Sequence, residues 1–268
     1  MRYLPLCCLL ANALVYAGPA LAQEAPAHLS DDTPDQGWHL TVSPYVWAAS
    51  LHGNAELAGF RTRVDMPFSE IFDHLDFVTM GEVLLSNGKV GAYVDGQYVK
   101  TSQDASVYHQ QVGLGIRKTH VSGGLFYNII DHRMAERTVH GDRRRFTFAP
   151  VVGLRWSKLS ADVAALGLTA NRKADWTEVL AGVRTAGDID RHWVIDARLN
   201  AGGFSDRKSS MDGEGTIGYR LRLAGLPLTV RAGYRFVHQQ YRMRDFTGQQ
   251  FRWNVSQEGP LLGLSARF

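Results

Sequence analysis

The chain has only two cysteines, Cys7 and Cys8, and both fall at its very start. Around them Met1 and Arg2 give a short positive region and Leu4 to Ala17 an apolar core. Ala20-Leu21-Ala22 then gives a small-x-small cleavage site before Gln23. Residues 1–22 therefore read as a secretory signal peptide that carries both thiols away, and the exported chain is expected to have neither thiol nor disulfide. No stretch approaches 18 consecutive apolar residues, which excludes a membrane-spanning helix. A glycine-rich phosphate loop, a paired-cysteine motif and an HExxH helix are all missing, so no cofactor, metal or ready-made catalytic motif is expected. Excess charge of one sign is missing too: 29 Lys and Arg face 26 Asp and Glu, for a net +3. The basic residues alternate singly with apolar ones instead of forming a stripe, which argues against nucleic acid as a partner.

What the chain does have is a repeat. Gly-x-Arg occurs inside apolar stretches at Gly153/Arg155, Gly182/Arg184, Gly218/Arg220 and Gly233/Arg235, with a looser copy at Gly115/Arg117. Residues two apart share a face only on a strand, so each copy puts Gly and Arg on one side and apolar residues on the other. Leu228, Val230, Ala232, Tyr234 and Phe236 alternate in this way with Thr229, Arg231, Gly233 and Arg235. A soluble antiparallel sheet would alternate as well, so the end of the chain matters. It closes on Phe268, with Ala266, Leu264 and Leu262 on the same face and Gly263 nearby, in the manner of the C-terminal assembly signal of bacterial outer-membrane barrels. An alternating, helix-free exported chain has one way to span hydrocarbon, as a closed antiparallel barrel whose backbone groups all pair internally.

The expected fold is thus all-β: an up-and-down transmembrane barrel over residues 38–268, preceded by a flexible periplasmic lead-in over 23–37. About ten strands are expected, with eight or twelve as alternatives. They fall near 38–50, 77–86, 89–101, 112–130, 145–161, 172–186, 192–204, 210–223, 228–243 and 250–268. Asn87-Gly88 reads as a two-residue hairpin turn. Outward parity changes near Lys118 and again between Val255 and Leu262, which predicts two β-bulges or strand ends beyond the membrane. Within the long connection 51–76, a hairpin turning at Ala58-Gly59 and a short helix over Ser69–Leu75 with Ser69 as N-cap are expected, resting on the rim or capping the lumen. The polar connection 131–144 is longer than a periplasmic turn should be. Trp38, Trp156, Trp176 and Trp193, near strand ends, read as interfacial girdle residues.

Several segments carry a resemblance: Ser43-Pro44-Tyr45-Val46-Trp47-Ala48, Phe68 to Phe77, Trp176 to Arg184, Gly202-Gly203-Phe204, Gly233-Tyr234-Arg235 and Gly259 to Leu264. In these the chain resembles a widespread, uncharacterised family of Gram-negative outer-membrane β-barrels, and more loosely the small OmpA/OmpW-type barrels. The resemblance implies the bacterial outer membrane as location. It implies membrane lipids, including lipopolysaccharide, and the barrel-assembly machinery as partners. It implies no substrate.

Function is then sought in the lumen. Alternation turns Arg155, Arg184, Arg198, Arg220, Arg222, Arg231, Arg235 and Arg267 inward, against Glu82, Asp95, Glu178 and Asp196. The excess of cations predicts either a narrow porin-like channel favouring small anionic solutes or a closed structural barrel tied by ion pairs. Two other classes stand beside these. One is an outer-membrane enzyme acting on lipid A or peptides: His120-Val121-Ser122 puts a His and a Ser on one strand face but has no assignable acidic orienter, and Asp73-His74-x-Asp76 offers a metal-site or protease-like cluster of a kind that is usually solvated in a loop. The other is adhesion or structural anchoring through the external loops. The sequence favours a protein that is not an enzyme.

Overall fold

The computed structural model describes residues 37–57, 60–107, 110–165, 168–205, 208–244 and 250–268. The expected signal peptide, all but the last residue of the lead-in, both cysteines and the Ala58-Gly59 turn lie outside the described residues. Thirteen strands and one short helix follow in order: β1 His39–Trp47, β2 Ser50–Leu57, β3 Phe60–Met66, α1 Phe68–Asp73, β4 Leu75–Ser86, β5 Val90–Val107, β6 Gln110–Tyr127, β7 Ile130–Arg137, β8 Arg143–Ala165, β9 Leu168–Asp188, β10 Trp193–Ser205, β11 Lys208–Leu223, β12 Leu226–Arg244 and β13 Gln250–Arg267.

Ten of these strands, β1, β4, β5, β6, β8, β9, β10, β11, β12 and β13, pair in that order, each antiparallel to the next, and β13 returns to β1. Leu40 and Phe268 exchange backbone hydrogen bonds of 3.1 and 2.8 Å across the closing seam. The fold is the expected closed ten-stranded barrel, and its staves coincide with the segments that alternation marks. Every stave contributes an exposed apolar side chain to the outer face: Val46, Val83, Val94, Leu125, Val152, Val179, Ile195, Ile217, Val230 and Leu262. A soluble barrel would not circle itself with such a belt. A T-shaped Trp193–Tyr219 pair, with centroids 5.0 Å apart, lies towards the short-turn end of these strands, where amphipathic rings suit a membrane interface.

Several details differ from the sequence expectation. The register of β6 and β13 runs unbroken through both supposed phase slips. Phe126 and Val255, which break the pattern, simply face inward and are buried. An apolar residue is misleading about parity because the lumen accepts apolar side chains as well as charged ones. Lys118, His120 and Ser122 consequently face in, and the loose Gly115/Arg117 copy faces out, where Arg117 pairs with Asp162 at 2.5 Å. Trp176 is no girdle residue: it lies inward and stacks on Tyr241 with centroids 5.0 Å apart. The hairpin after β4 is longer than two residues. The Asn87 side chain accepts from the amides of Lys89 and Val90, while Gly88 takes φ 84.

The two long connections are mostly strand. In the first, β2 continues the line of β1 along β13, β3 folds back on β2, and α1 follows. The helix starts at Phe68 with Pro67 as N-cap, and Ser69 is inside it. It buries no residue and so does not fill the lumen. In the second, β7 pairs with the start of β8 as an extension of the wall beyond Asn128, leaving a tight tip at residues 138–142.

Candidate functional site

The lumen is the candidate site, and the Gly-x-Arg repeat builds it. At Gly153, Gly182 and Gly233 an added Cβ would lie 2.1–2.3 Å from a backbone oxygen of the neighbouring strand. Glycine is needed there for close strand approach, and the guanidinium two residues on reaches across the barrel. Arg155 donates to Glu178 at 3.1 Å and to the Ser210 hydroxyl at 3.0 Å, and its other amino group pairs with Asp212. Arg235 holds both oxygens of Asp95, at 3.1 and 3.3 Å, and reaches Glu214 at 3.5 Å. Tyr45 donates to Asp95 at 2.8 Å and accepts from Arg235 at 2.9 Å. Arg198 donates to Glu82 at 2.7 Å and to Glu214 at 3.4 Å, Arg184 lies 3.5 Å from Glu82, and Arg231 pairs with Asp196 at 3.2 Å.

Five of the eight inward arginines expected from the sequence thus pair with the four expected acids. Asp212 and Glu214 were missed, yet they continue the parity of Thr216, Gly218 and Arg220 on β11, so the signal was present. With Lys118, which donates to Gln257 at 2.5 Å, the middle of the lumen holds six cations against Glu82, Asp95, Glu178, Asp196, Asp212 and Glu214. The cation excess expected from alternation is therefore absent among the described residues of this layer. Two small cavities lie inside the network, of about 20 and 10 Å³, room for a water or two. His120 is buried with Nδ1 3.1 Å from the Ser157 hydroxyl. That partner is on another strand, and Ser122 is not its hydrogen-bond partner.

The other three arginines gather at the short-turn end, where the tip between β7 and β8 lies against the mouth. Arg220 pairs with Asp188 at 2.5 Å. Arg222 donates to the carbonyls of Val139 and His140 at 3.0 and 2.7 Å. Arg267 grips Asp142 through both oxygens at 2.6 and 2.9 Å. His140 Nε2 lies 3.1 Å from the carbonyls of Leu221 and Leu228 on β11 and β12, and the Val139 amide donates to the Arg191 carbonyl at 3.0 Å. Burial, which outweighs these carbonyl bonds, pushes the His140 pKa down. Burial raises that of Asp142, but Arg267 outweighs it and holds the carboxyl below its usual range. Residues 131–144 are thus an extension that straps the mouth.

The remaining candidates are dispersed. Gly263 pairs with Arg231 and Tyr45 on either side, Leu264 and Ala266 face outward, and the Phe268 ring is exposed at the end of the seam. Asp76 accepts from the Ser102 hydroxyl at 2.6 Å and lies 3.4 Å from Lys100, engaged with β5. No group of three His, Cys, Asp or Glu side chains able to hold a metal ion occurs among the described residues.

No family model and no curated protein matches the chain. Solved structures that align with it include the attachment invasion locus protein Ail of Yersinia pestis in complex with sucrose octasulfate, at 13% identity and TM-score 0.37, covering 87% of this chain and 99% of that one. Neisserial surface protein A aligns at 12% identity and TM-score 0.30, over 86% and 97%. The translocator domain of the autotransporter NalP from Neisseria meningitidis aligns at 9% identity and TM-score 0.32, over 88% and 90%.

Proposed function

We propose that the chain is a sealed outer-membrane barrel, a non-conducting anchor that holds an extended β-structure outside the cell. One observation carries the reading: the mid-lumen places six cations against six acids, and every guanidinium among them has a carboxylate partner. A channel selective for anions needs uncompensated positive charge facing water. Here each mid-lumen guanidinium lies within 3.5 Å of a carboxylate.

The belt supports the membrane setting, with lipid, lipopolysaccharide included, against it and the short turns in the periplasm. Strand length supports the external role. A barrel strand crosses hydrocarbon in about 9–11 residues, whereas β8 has 23 and β9 has 21. The excess stands on the long-strand side of the belt, together with the β2–β3 hairpin.

Purified protein in planar bilayers is expected to give no steady conductance, and replacing Arg155, Arg198 and Arg235 together by Ser is expected to open one. Anion-selective conductance by the unaltered protein would overturn the reading. Folded protein should also migrate differently on gels before and after boiling, as the closed wall resists detergent unfolding.

A further inference from the structure

The wall between β1 and β4 is joined over only part of its height. Their register runs from His39↔Ser86 to Pro44↔Gly81 and stops. Beyond it β1 stays with β13 through Tyr45↔Gly263, Val46↔Leu262 and Trp47↔Leu261, while β4 stays with β5 through Val78↔Val99 and Met80↔Gln97. The cause is the β2–β3 hairpin. Since β3 lies on the β4 side of β2, the two edges must part by about one strand spacing, roughly 4.8 Å, to admit it. No register joins β3 to β4 among the described residues. A window results, framed by Tyr45 to Ala49 on one side and Thr79 and Met80 on the other. Met66, opposite Leu51, and the start of α1, tied through the Phe68 amide to the Ser50 hydroxyl at 3.1 Å, close its top.

The surroundings of the window set it apart. Outside it stand Val46, Phe77 and Phe72, each about half exposed. Inside it Trp47, Val237 and Leu261 form a buried apolar cluster, with Tyr45, Ala49 and Met80 packed against it. The neighbouring lumen is ionic. Apolar side chains therefore stand on both faces of the window, and on the β4 side the one packed against the inner cluster is Met80, an unbranched thioether that repacks readily. Strand edges left unjoined at membrane depth also need hydrogen-bonding partners that hydrocarbon does not supply. A long acyl chain with an ester or amide at its head meets both needs.

We propose that this window is a lateral binding site for an acyl chain of an outer-leaflet lipid, entering between Val46 and Phe77 and lying against Met80 and Trp47. The proposal rests on the reading of the chain as an outer-membrane barrel. It is tested in vesicles of phosphatidylcholine with brominated chains, using full-length exported protein in which five of the six tryptophans are replaced by Phe, keeping either Trp193 or Trp47. Both are expected to be quenched. Quenching of Trp47 is expected to disappear when the window is bridged by a short bifunctional maleimide across Val46→Cys and Thr79→Cys. Quenching of Trp193 with none of Trp47, or with Trp47 unaffected by the bridge, overturns the window and leaves the barrel standing. An unquenched Trp193 overturns the barrel reading itself. Should the tryptophan variants not fold, bimane on Met80→Cys in an otherwise unaltered chain is expected to be quenched, and bimane on inward Thr147→Cys is not; equal quenching of the two overturns the proposal.

Discussion

Arg235 and Asp95 are both about 1% exposed in their side chains, so neither charge has water to fall back on. Removing one partner of such a pair costs about 3–5 kcal/mol, because the other is left buried and uncompensated. Asp95→Asn and Arg235→Gln are each expected to lower the denaturant midpoint of the folded barrel by that order. The double variant is expected to lose less than the sum, which equilibrium unfolding in detergent checks. Ala224 is a different kind of residue. It sits at φ 51 beside Gly225 at φ 81 in the two-residue turn between Leu223 and Leu226. That turn needs positive φ at both central positions and is best served by Asn-Gly. Alanine there carries left-handed strain of about 1 kcal/mol, so Ala224→Asn is expected to raise the unfolding midpoint without altering lumen or belt. At this scale the sequence showed which arginines and acids face inward on β4, β5, β8, β9, β10 and β12. It could not show which pair with which, since partners such as Arg235 and Asp95 lie 140 residues apart.

The strap at the short-turn end behaves as an element. Its tip is tied by Asp142 to Arg267, by His140 to two carbonyls and by Arg222 to the tip's own carbonyls. Arg220 and Asp142 are the charged groups that act on His140. A histidine whose folded pKa is depressed stabilises the structure above its unfolded pKa, and that contribution is lost as pH falls from about 6.5 towards the folded value. The Asp142 contribution has the same sign at lower pH, being lost as pH falls below about 3.9. Hydrogen exchange at Val139 and Gly141, corrected for intrinsic rates, is therefore expected to quicken relative to the barrel staves as pH drops from 7.5 to 5.5. Asp142→Asn should quicken it already at neutral pH, and unchanged protection in both cases would show that the strap is held by its backbone alone. Length and polarity marked 131–144 as unusual in the sequence. That it folds back across the mouth was not legible, because its contacts are with turns and a terminus far along the chain. The short helix was legible in place, but its cap was not: the Pro67 position supplies the N-terminus, and Ser69 carries no capping bond.

For the whole molecule, alternation set out the architecture because each stave must meet lipid outside and its neighbours' charges inside. Ten strands were readable for that reason. Parity was misjudged where apolar residues stopped being a guide, at Phe126 and Val255, and the lumen's charge balance was misjudged because Asp212 and Glu214 on β11 also turn inward. A silent bilayer recording and a Trp47 quenched by lipid chains would together describe a barrel shut along its axis and parted in its side. The strap also joins distant parts of the chain. Arg267 on β13 grips Asp142, which precedes it by 125 positions. His140 meets carbonyls of β11 and β12, and Arg222 of β11 holds the carbonyls of Val139 and His140. Freeing the mouth therefore means breaking contacts with three neighbouring staves at once, so the tip acts as a clamp across β11, β12 and β13.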